Sequence, residues 1–144
     1  MIAKSKRSEA ERAGEWYLRE RCGCVMTRKA VRTKWQSQDF FGSDIMGKRP
    51  GGACVYAQVT AGGNEALRVR RRKLEAVPWH PSERVMVLQL TSTPDPARAS
   101  RKLWWFRVHY YNHRRGVWGA VWATPVDKAW FKAYGKTEKK QEDK

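Results

Sequence analysis

The sequence predicts a mixed α/β domain with one central β-sheet flanked by helices. Three observations carry that expectation. Ala53–Thr60 alternates its side chains with a period of two, the mark of a strand. Ser8–Gly23 and Asn64–Val77 carry helix start and stop signals. Leu103–Tyr111 and Val117–Ala123 alternate on either side of Asn112-His113-Arg114-Arg115-Gly116, which reads as a hairpin. Strands interleaved with helices give a sheet with helices packed on it.

Taken in order, the first helix is expected to start at Ser8, because Ser8-Glu9-Ala10-Glu11 has the S-x-x-E form of a capping box. Ala10, Ala13, Trp16, Tyr17 and Leu18 follow at roughly helical spacing, and Gly23 ends the run. Val25–Arg28 reads as a short strand, and Ala30–Gln38 is basic and polar without a clear period. Ser43–Gly47 begins another strand, and Lys48-Arg49-Pro50-Gly51-Gly52 is a turn. In the strand Ala53–Thr60, Ala53, Val55, Ala57 and Val59 face one way, while Cys54, Tyr56, Gln58 and Thr60 face the other. Ala61-Gly62-Gly63 breaks it. Asn64 then caps a second helix that runs to about Val77, and Pro78 stops it.

Arg84–Leu90 is a further apolar strand, and Thr91–Lys102 a long loop containing proline. In the hairpin, Trp104, Phe106, Val108 and Tyr110 share one face, and Trp104 and Phe106 read as core packing or a dimer face. Trp105, Arg107, His109 and Tyr111 share the other face. A last short helix has Thr124 as N-cap, Pro125 at its first position, Asp127 in its first turn and Gly135 as its stop. Residues 1–135 form a single domain. Residues 136–144 are a charged tail without apolar residues and are expected to be disordered.

Composition narrows the function. The chain has 144 residues, 30 Lys+Arg against 14 Asp+Glu, and a net charge of +16. A domain this basic is expected to bind a polyanion. Its mean hydropathy is −0.78, and no apolar run approaches the ~20 residues that span a bilayer. The opening Met1-Ile2-Ala3-Lys4-Ser5-Lys6-Arg7 leads into charge, so neither a secretory signal nor a membrane protein is expected, and the cytoplasm is the expected compartment. Eight Trp argue for a packed fold. Cys22, Cys24 and Cys54 have neither zinc-finger spacing nor the even count of a disulfide framework.

Basic residues cluster in separate segments. Five of the six residues Arg68–Lys73 are basic, namely Arg68, Arg70, Arg71, Arg72 and Lys73. Arg28, Lys29, Arg32 and Lys34 form another cluster. Pro96–Val126 has no Asp or Glu but carries Arg98, Arg101, Lys102, Arg107, Arg114 and Arg115. One basic run is what any solvated helix face looks like; several together read as a footprint on phosphates. Surface Trp and Tyr among them are suited to stacking on unpaired bases.

The stretch that carries chemistry is Asp39-Phe40-Phe41-Gly42-Ser43-Asp44-Ile45-Met46, followed by Ala53–Thr60. An acid at the start of one strand is followed, across a Pro-Gly-Gly turn, by the oxygen donor Gln58 on the next strand. Asp44 and Gln58 are thereby expected to meet at one end of the sheet. A hard cation such as Mg²⁺ takes one or two carboxylates plus waters and phosphate oxygens. Such an ion activates water and stabilises the leaving oxygen in phosphodiester hydrolysis.

This pattern resembles the PD-(D/E)XK nuclease superfamily, in which an acid and a hairpin precede Glu-x-Lys on the next strand. Within it, the chain looks most like archaeal-type Holliday junction resolvases and their phage relatives. The resemblance covers about residues 8–90. It rests on Ala10-Glu11-Arg12 with Leu18-Arg19-Glu20-Arg21, on Asp44-Ile45, and on Gln58-Val59-Thr60 with the Gly-rich turn and basic helix after it.

The resemblance implies a restriction-endonuclease-like mixed sheet flanked by helices. It also implies a Mg²⁺-dependent endonuclease (Mn²⁺ able to substitute) that nicks four-way DNA junctions as a homodimer, in the host cytoplasm if phage-encoded. The aromatic hairpin Leu103–Ala123 is the expected dimer face. Asp44 matches the motif aspartate and the main metal carboxylate. Gln58 stands at the motif glutamate and keeps an oxygen but no charge. The Val59 carbonyl matches a frequent ligand, and Glu11 matches the first-helix glutamate of the site, with Glu15 one turn later as its alternative. Thr60 stands where the family has its lysine and supplies no cation. Arg68, Arg70 or Lys73 of the next helix is the expected substitute.

Simpler readings stand beside these. Glu11 closes the capping box, Asp44 is a turn residue, Gln58 is a polar residue on an exposed strand face, Asp39 is a turn or cap, and His80 is structural. A DNA-binding relative without catalysis, or a nuclease of the same fold with another DNA substrate, is the alternative function.

Overall fold

The alternating segment Cys54–Thr60 lies inside a seven-stranded sheet and is covered on both faces. The structure is a computed structural model that describes residues 3–32, 37–38 and 40–126. Along the chain it forms α1 (Ala3–Glu20), β1 (Met26–Lys29), β2 (Val31–Arg32), β3 (Ser37–Gln38), β4 (Ile45–Lys48) and β5 (Cys54–Thr60). It continues with α2 (Asn64–Glu75), β6 (Arg84–Asp95), β7 (Arg98–Asn112), β8 (Val117–Trp118) and β9 (Trp122–Val126). The main sheet has the order β1-β4-β5-β6-β7-β8, and β9 also pairs with β7. β2 and β3 make a separate two-stranded ribbon.

Chain geometry explains the one parallel pairing. β5 and β6 run parallel, with Gln58 beside Val87 and Thr60 beside Gln89, while the other pairs in the main sheet are antiparallel. A parallel pair needs a crossover, and α2 supplies it. The result is the mixed α/β class expected from the sequence.

The two helices cover opposite faces. Ala10, Ala13, Tyr17 and Leu18 of α1 pack with Ile45, Val55, Ala57, Val59, Leu88, Phe106 and Val108. Phe106 is fully buried there and Trp104 packs against the same cluster, as core residues of a strand should. On the other face Leu74 of α2 joins Val85, Val87 and Tyr111 in a smaller cluster, with Leu67, Trp79 and Trp118 at its margin. Leu74 is the fully buried residue of α2. The α2 face therefore holds far less apolar surface than the α1 face.

The elements differ from expectation in five places. The expected hairpin strand Val117–Ala123 is split into β8 and β9, which both pair with β7. α1 begins at Ala3, so Ser8 lies inside the helix and not at its N-cap. The favourable helix propensity of Ala, Lys and Arg carries the helix back past the candidate cap. Asn64 is the first helical residue of α2, and its N-cap is Gly63, without a side-chain cap bond.

Thr91–Lys102 is not a loop. β6 and β7 continue as a long hairpin that turns at Pro96-Ala97, with Thr91 beside Trp105 and Thr93 beside Leu103. Trp105 Nε1 donates to Thr93 Oγ1 at 3.1 Å, and Ala97 N donates to Asp95 Oδ1 at 2.9 Å, an Asx-type turn. The register shifts between Pro94 and Asp95, which is how a ladder accommodates a proline. The last helix does not start at Thr124. Thr124 and Pro125 belong to β9, opposite Phe106 and Trp105. The remainder of that segment and the charged tail lie outside the described residues. Among the described residues no helix is long and apolar enough to cross a membrane.

Candidate active site

The site begins with a turn. Phe40 and Ser43 exchange two backbone hydrogen bonds of 3.0 Å, and Phe41 and Gly42 between them take φ of 54° and 82°. That left-handed pair is easy for Gly42 and uncommon for Phe41. The Phe41 ring meets Tyr56 edge-on at 6.2 Å. The turn delivers Asp44 to the start of β4. Asp44 N donates to the Ala57 carbonyl at 2.9 Å, and the Asp44 carbonyl accepts from Ala30 N at 2.7 Å. Alternation along the strand puts Ile45 in the α1-side core and turns Asp44 the other way. Gln58 on β5 also points to the α2 face.

There the two oxygens meet one nitrogen. Asp44 Oδ2 accepts from Val59 N at 2.9 Å and from Arg70 Nη1 at 3.2 Å. Gln58 Oε1 accepts from the same Arg70 Nη1 at 2.5 Å. Gln58 Nε2 donates to the Gly42 carbonyl and so pins the turn that carries Asp44. Asp44 is 2% exposed and Gln58 1%. A carboxylate so buried needs a counter-charge, and the Arg70 guanidinium supplies it. The Arg70 side chain is itself 22% exposed, so solvent reaches it.

No protein-family model, curated protein or solved structure matches this chain.

The other site residues fall as follows. Val59 enters through its N–H on Asp44. Thr60 is buried, and its hydroxyl accepts from Gly62 N at 3.0 Å, shaping the turn into α2. Thr60 brings no cation; of the three helix residues expected to substitute, Arg70 is the one that touches Asp44 and Gln58. Glu15 accepts from Thr27 Oγ1 at 2.7 Å, and Arg19 Nε donates to the same hydroxyl at 3.0 Å, which ties α1 to β1. Glu11 is buried at 6% exposure on α1, inside the helix that starts at Ala3.

Of the basic clusters, Arg28, Arg68, Arg72 and Lys73 are exposed, and Lys29 is half-buried. Arg68 lies 3.9 Å from Glu65. The side chain of Arg32 and the whole of Lys34 and Asp39 lie outside the described residues. His80 is exposed in its turn, where its ring is 2.8 Å from Ser82 Oγ.

A second polar network lies beside the first, and sequence reasoning missed it. Arg71 Nη2 donates to His109 Nδ1 at 2.8 Å. Because an arginine only donates, His109 Nδ1 accepts, and Nε2–H then donates to Gln89 Oε1 at 3.1 Å. Gln89 Nε2 donates onward to the Gly62 carbonyl at 3.0 Å. Arg71 also lies 4.9 Å over the Trp118 ring. Burial first, then Arg71 and Arg107, pull the His109 pKa down to about 4, so the ring is neutral at pH 7. Strand alternation does place His109 and Arg107 on the α2 side, but no sequence signal names Arg71 as the partner.

The donors suit a hard cation. A carboxylate and an amide carbonyl converging on one positive centre are ligands of the Mg²⁺ kind. Among the described residues no three His, Cys, Asp or Glu side chains form a metal-binding group. The set is therefore poor in charge, and Arg70 holds the point between its two oxygens.

Proposed function

We propose that this protein is a Mg²⁺-dependent, structure-selective DNA endonuclease, a Holliday junction resolvase built on a restriction-endonuclease-like core. One observation carries the reading. Asp44 and Gln58, on neighbouring strands of a buried sheet, aim their oxygens at one cationic point beneath a helix with five basic residues in a row of six.

Asp44 and Gln58 hold the metal, with the Val59 carbonyl as a further ligand, and Mn²⁺ substitutes for Mg²⁺; Glu11 sits on α1, across the sheet from this site. Bound there, Mg²⁺ supplies Lewis-acid stabilisation of phosphate charge and lowers the pKa of water. The chain's own residues do the rest. Gln58 pins the Phe40–Ser43 turn through Gly42 and so fixes Asp44. The amide matters, since a carboxylate at this position would face the Gly42 carbonyl without a proton to share. Arg70 brings the positive charge that the family carries on its strand lysine. The exposed arginines and lysines of α2 and β1 hold the phosphate backbone.

Two symmetric nicks in a junction need two sites, which a homodimer provides. The exposed Val117, Val121 and Trp122 beside β7 are where we place its face. The protein acts in the cytoplasm, where DNA junctions occur. The closed pairing of Arg70 with Asp44 favours a second reading, a DNA-binding relative without catalysis.

Matched four-way, three-way, flap and linear DNA, incubated with Mg²⁺ and with EDTA, separate the two. We expect nicking of the four-way junction with Mg²⁺ and none with EDTA. Tight binding without nicking of any substrate identifies the non-catalytic relative.

A further inference from the structure

We infer that Arg70 is a substrate-displaced plug that keeps the metal site closed until a DNA phosphate draws it away. The inference rests on the proposed metal site and adds its regulation. Arg70 Nη1 lies 3.2 Å from Asp44 Oδ2 and 2.5 Å from Gln58 Oε1. A metal ion held by those same oxygens would need that point. Two cations cannot share it, so loading requires Arg70 to leave.

Three features make the exchange feasible. Asp44 is buried and needs a positive partner at all times, which Arg70 is in the absence of metal. The Arg70 side chain is partly exposed, so a phosphate arriving from solvent can reach it. Arg70 also stands among Arg68, Arg71, Arg72 and Lys73, whose charges bring a phosphate to it. An arginine meets a phosphate with two parallel hydrogen bonds, a geometry at least as good as the one it leaves. DNA and metal then bind cooperatively, and linkage makes the effect reciprocal. The site loads its metal on DNA and stays closed in its absence.

Mn²⁺ binding, read from the electron-spin-resonance signal of the free ion, tests this without cleavage. The full chain is titrated alone and with a four-way junction made of phosphorothioate DNA, with the DNA-only signal subtracted. We expect weak Mn²⁺ binding to the free wild-type chain and binding at least about tenfold tighter with the junction, inside the usual range of allosteric coupling. Arg70→Ala should bind Mn²⁺ more tightly than wild type without DNA and gain less from DNA than wild type does, since DNA then adds its phosphate ligands but displaces no plug. Arg70→Gln, which keeps a polar side chain over Asp44, serves where the truncation unfolds. Asp44→Asn should lose the site in every state. Equal Mn²⁺ affinity of Arg70→Ala, Arg70→Gln and wild type, or equal tightening of all three by DNA, overturns the plug while leaving the metal site standing. Mn²⁺ binding that Asp44→Asn does not alter overturns the metal site itself, and the plug with it.

Discussion

His109 shows how a single buried ring sets an acid limit. It is 3% exposed, accepts from Arg71 and donates to Gln89, and its pKa is lowered to about 4 by burial and then by Arg71 and Arg107. In the unfolded chain a histidine titrates near 6.5. Between those values the unfolded chain takes up a proton that the native protein refuses. Stability is therefore intact above pH ~6.5 and lost as the pH falls toward ~4, by up to about 3 kcal/mol from this residue. An amide can accept from Arg71 and donate to Gln89 as the imidazole does, without titrating. We predict that His109→Gln unfolds in urea with a smaller loss of stability between pH 7 and 4.5 than wild type. Identical acid sensitivity of the two would show that His109 carries no such term. Gln58 teaches a related lesson. It stands where the nuclease pattern that the sequence resembles has a glutamate, and its Nε2 donates to the Gly42 carbonyl, which a glutamate carboxylate could not do. That partner is invisible in a strand pattern, because it comes from a turn sixteen residues earlier.

The two helices are attached by different means. α1 rests on a large apolar cluster and adds a polar tie, in which Thr27 Oγ1 accepts from Arg19 and donates to Glu15. Removing that hydroxyl leaves a buried carboxylate short of a donor, a loss of about 1–3 kcal/mol. We predict that Thr27→Val lowers stability by that amount in urea unfolding, although it adds apolar volume. A stability equal to or above wild type would mean that Glu15 does not depend on Thr27. α2 docks through Leu74 and Leu67 on a smaller apolar cluster and through the polar contacts of Arg70 and Arg71. In the proposed function, those polar contacts make α2 the element that responds to a phosphate. Much of this was legible in the sequence. β5 and its facing residues, the break at Ala61-Gly62-Gly63, α2, and β7 with its turn follow from period and turn chemistry, whereas the expected partner strand Val117–Ala123 divides into β8 and β9. The errors came where tertiary pairing overrode a local signal. Pro94 and Pro96 looked like a loop yet sit at a bulge and a turn, and Thr124-Pro125 looked like a helix start yet pairs with β7.

At the scale of the molecule, one sheet separates two kinds of surface. The α1 face is an apolar core that makes the fold stable. The α2 face is a polar one, where Asp44, Gln58, Gln89 and His109 line up beneath a row of arginines. The sequence made the pair Asp44–Gln58 legible through motif and spacing. It also narrowed the compensating cation to Arg68, Arg70 or Lys73, and the structure brings Arg70 to both oxygens. Which arginine turns inward depends on the angle at which α2 crosses the sheet, a property no local pattern records. The net charge of +16 spreads over several segments, so under the proposed function affinity for DNA belongs to the whole surface and cleavage to one site.

That division is tested most directly by Asp44→Asn, an isosteric change that removes one carboxylate charge. Nicking of a labelled four-way junction with Mg²⁺ and binding of the same junction in EDTA are measured side by side for wild type and variant. The account predicts loss of nicking with junction affinity within about tenfold of wild type, since phosphate contacts supply most of the binding. Nicking by Asp44→Asn at the wild-type rate would contradict it.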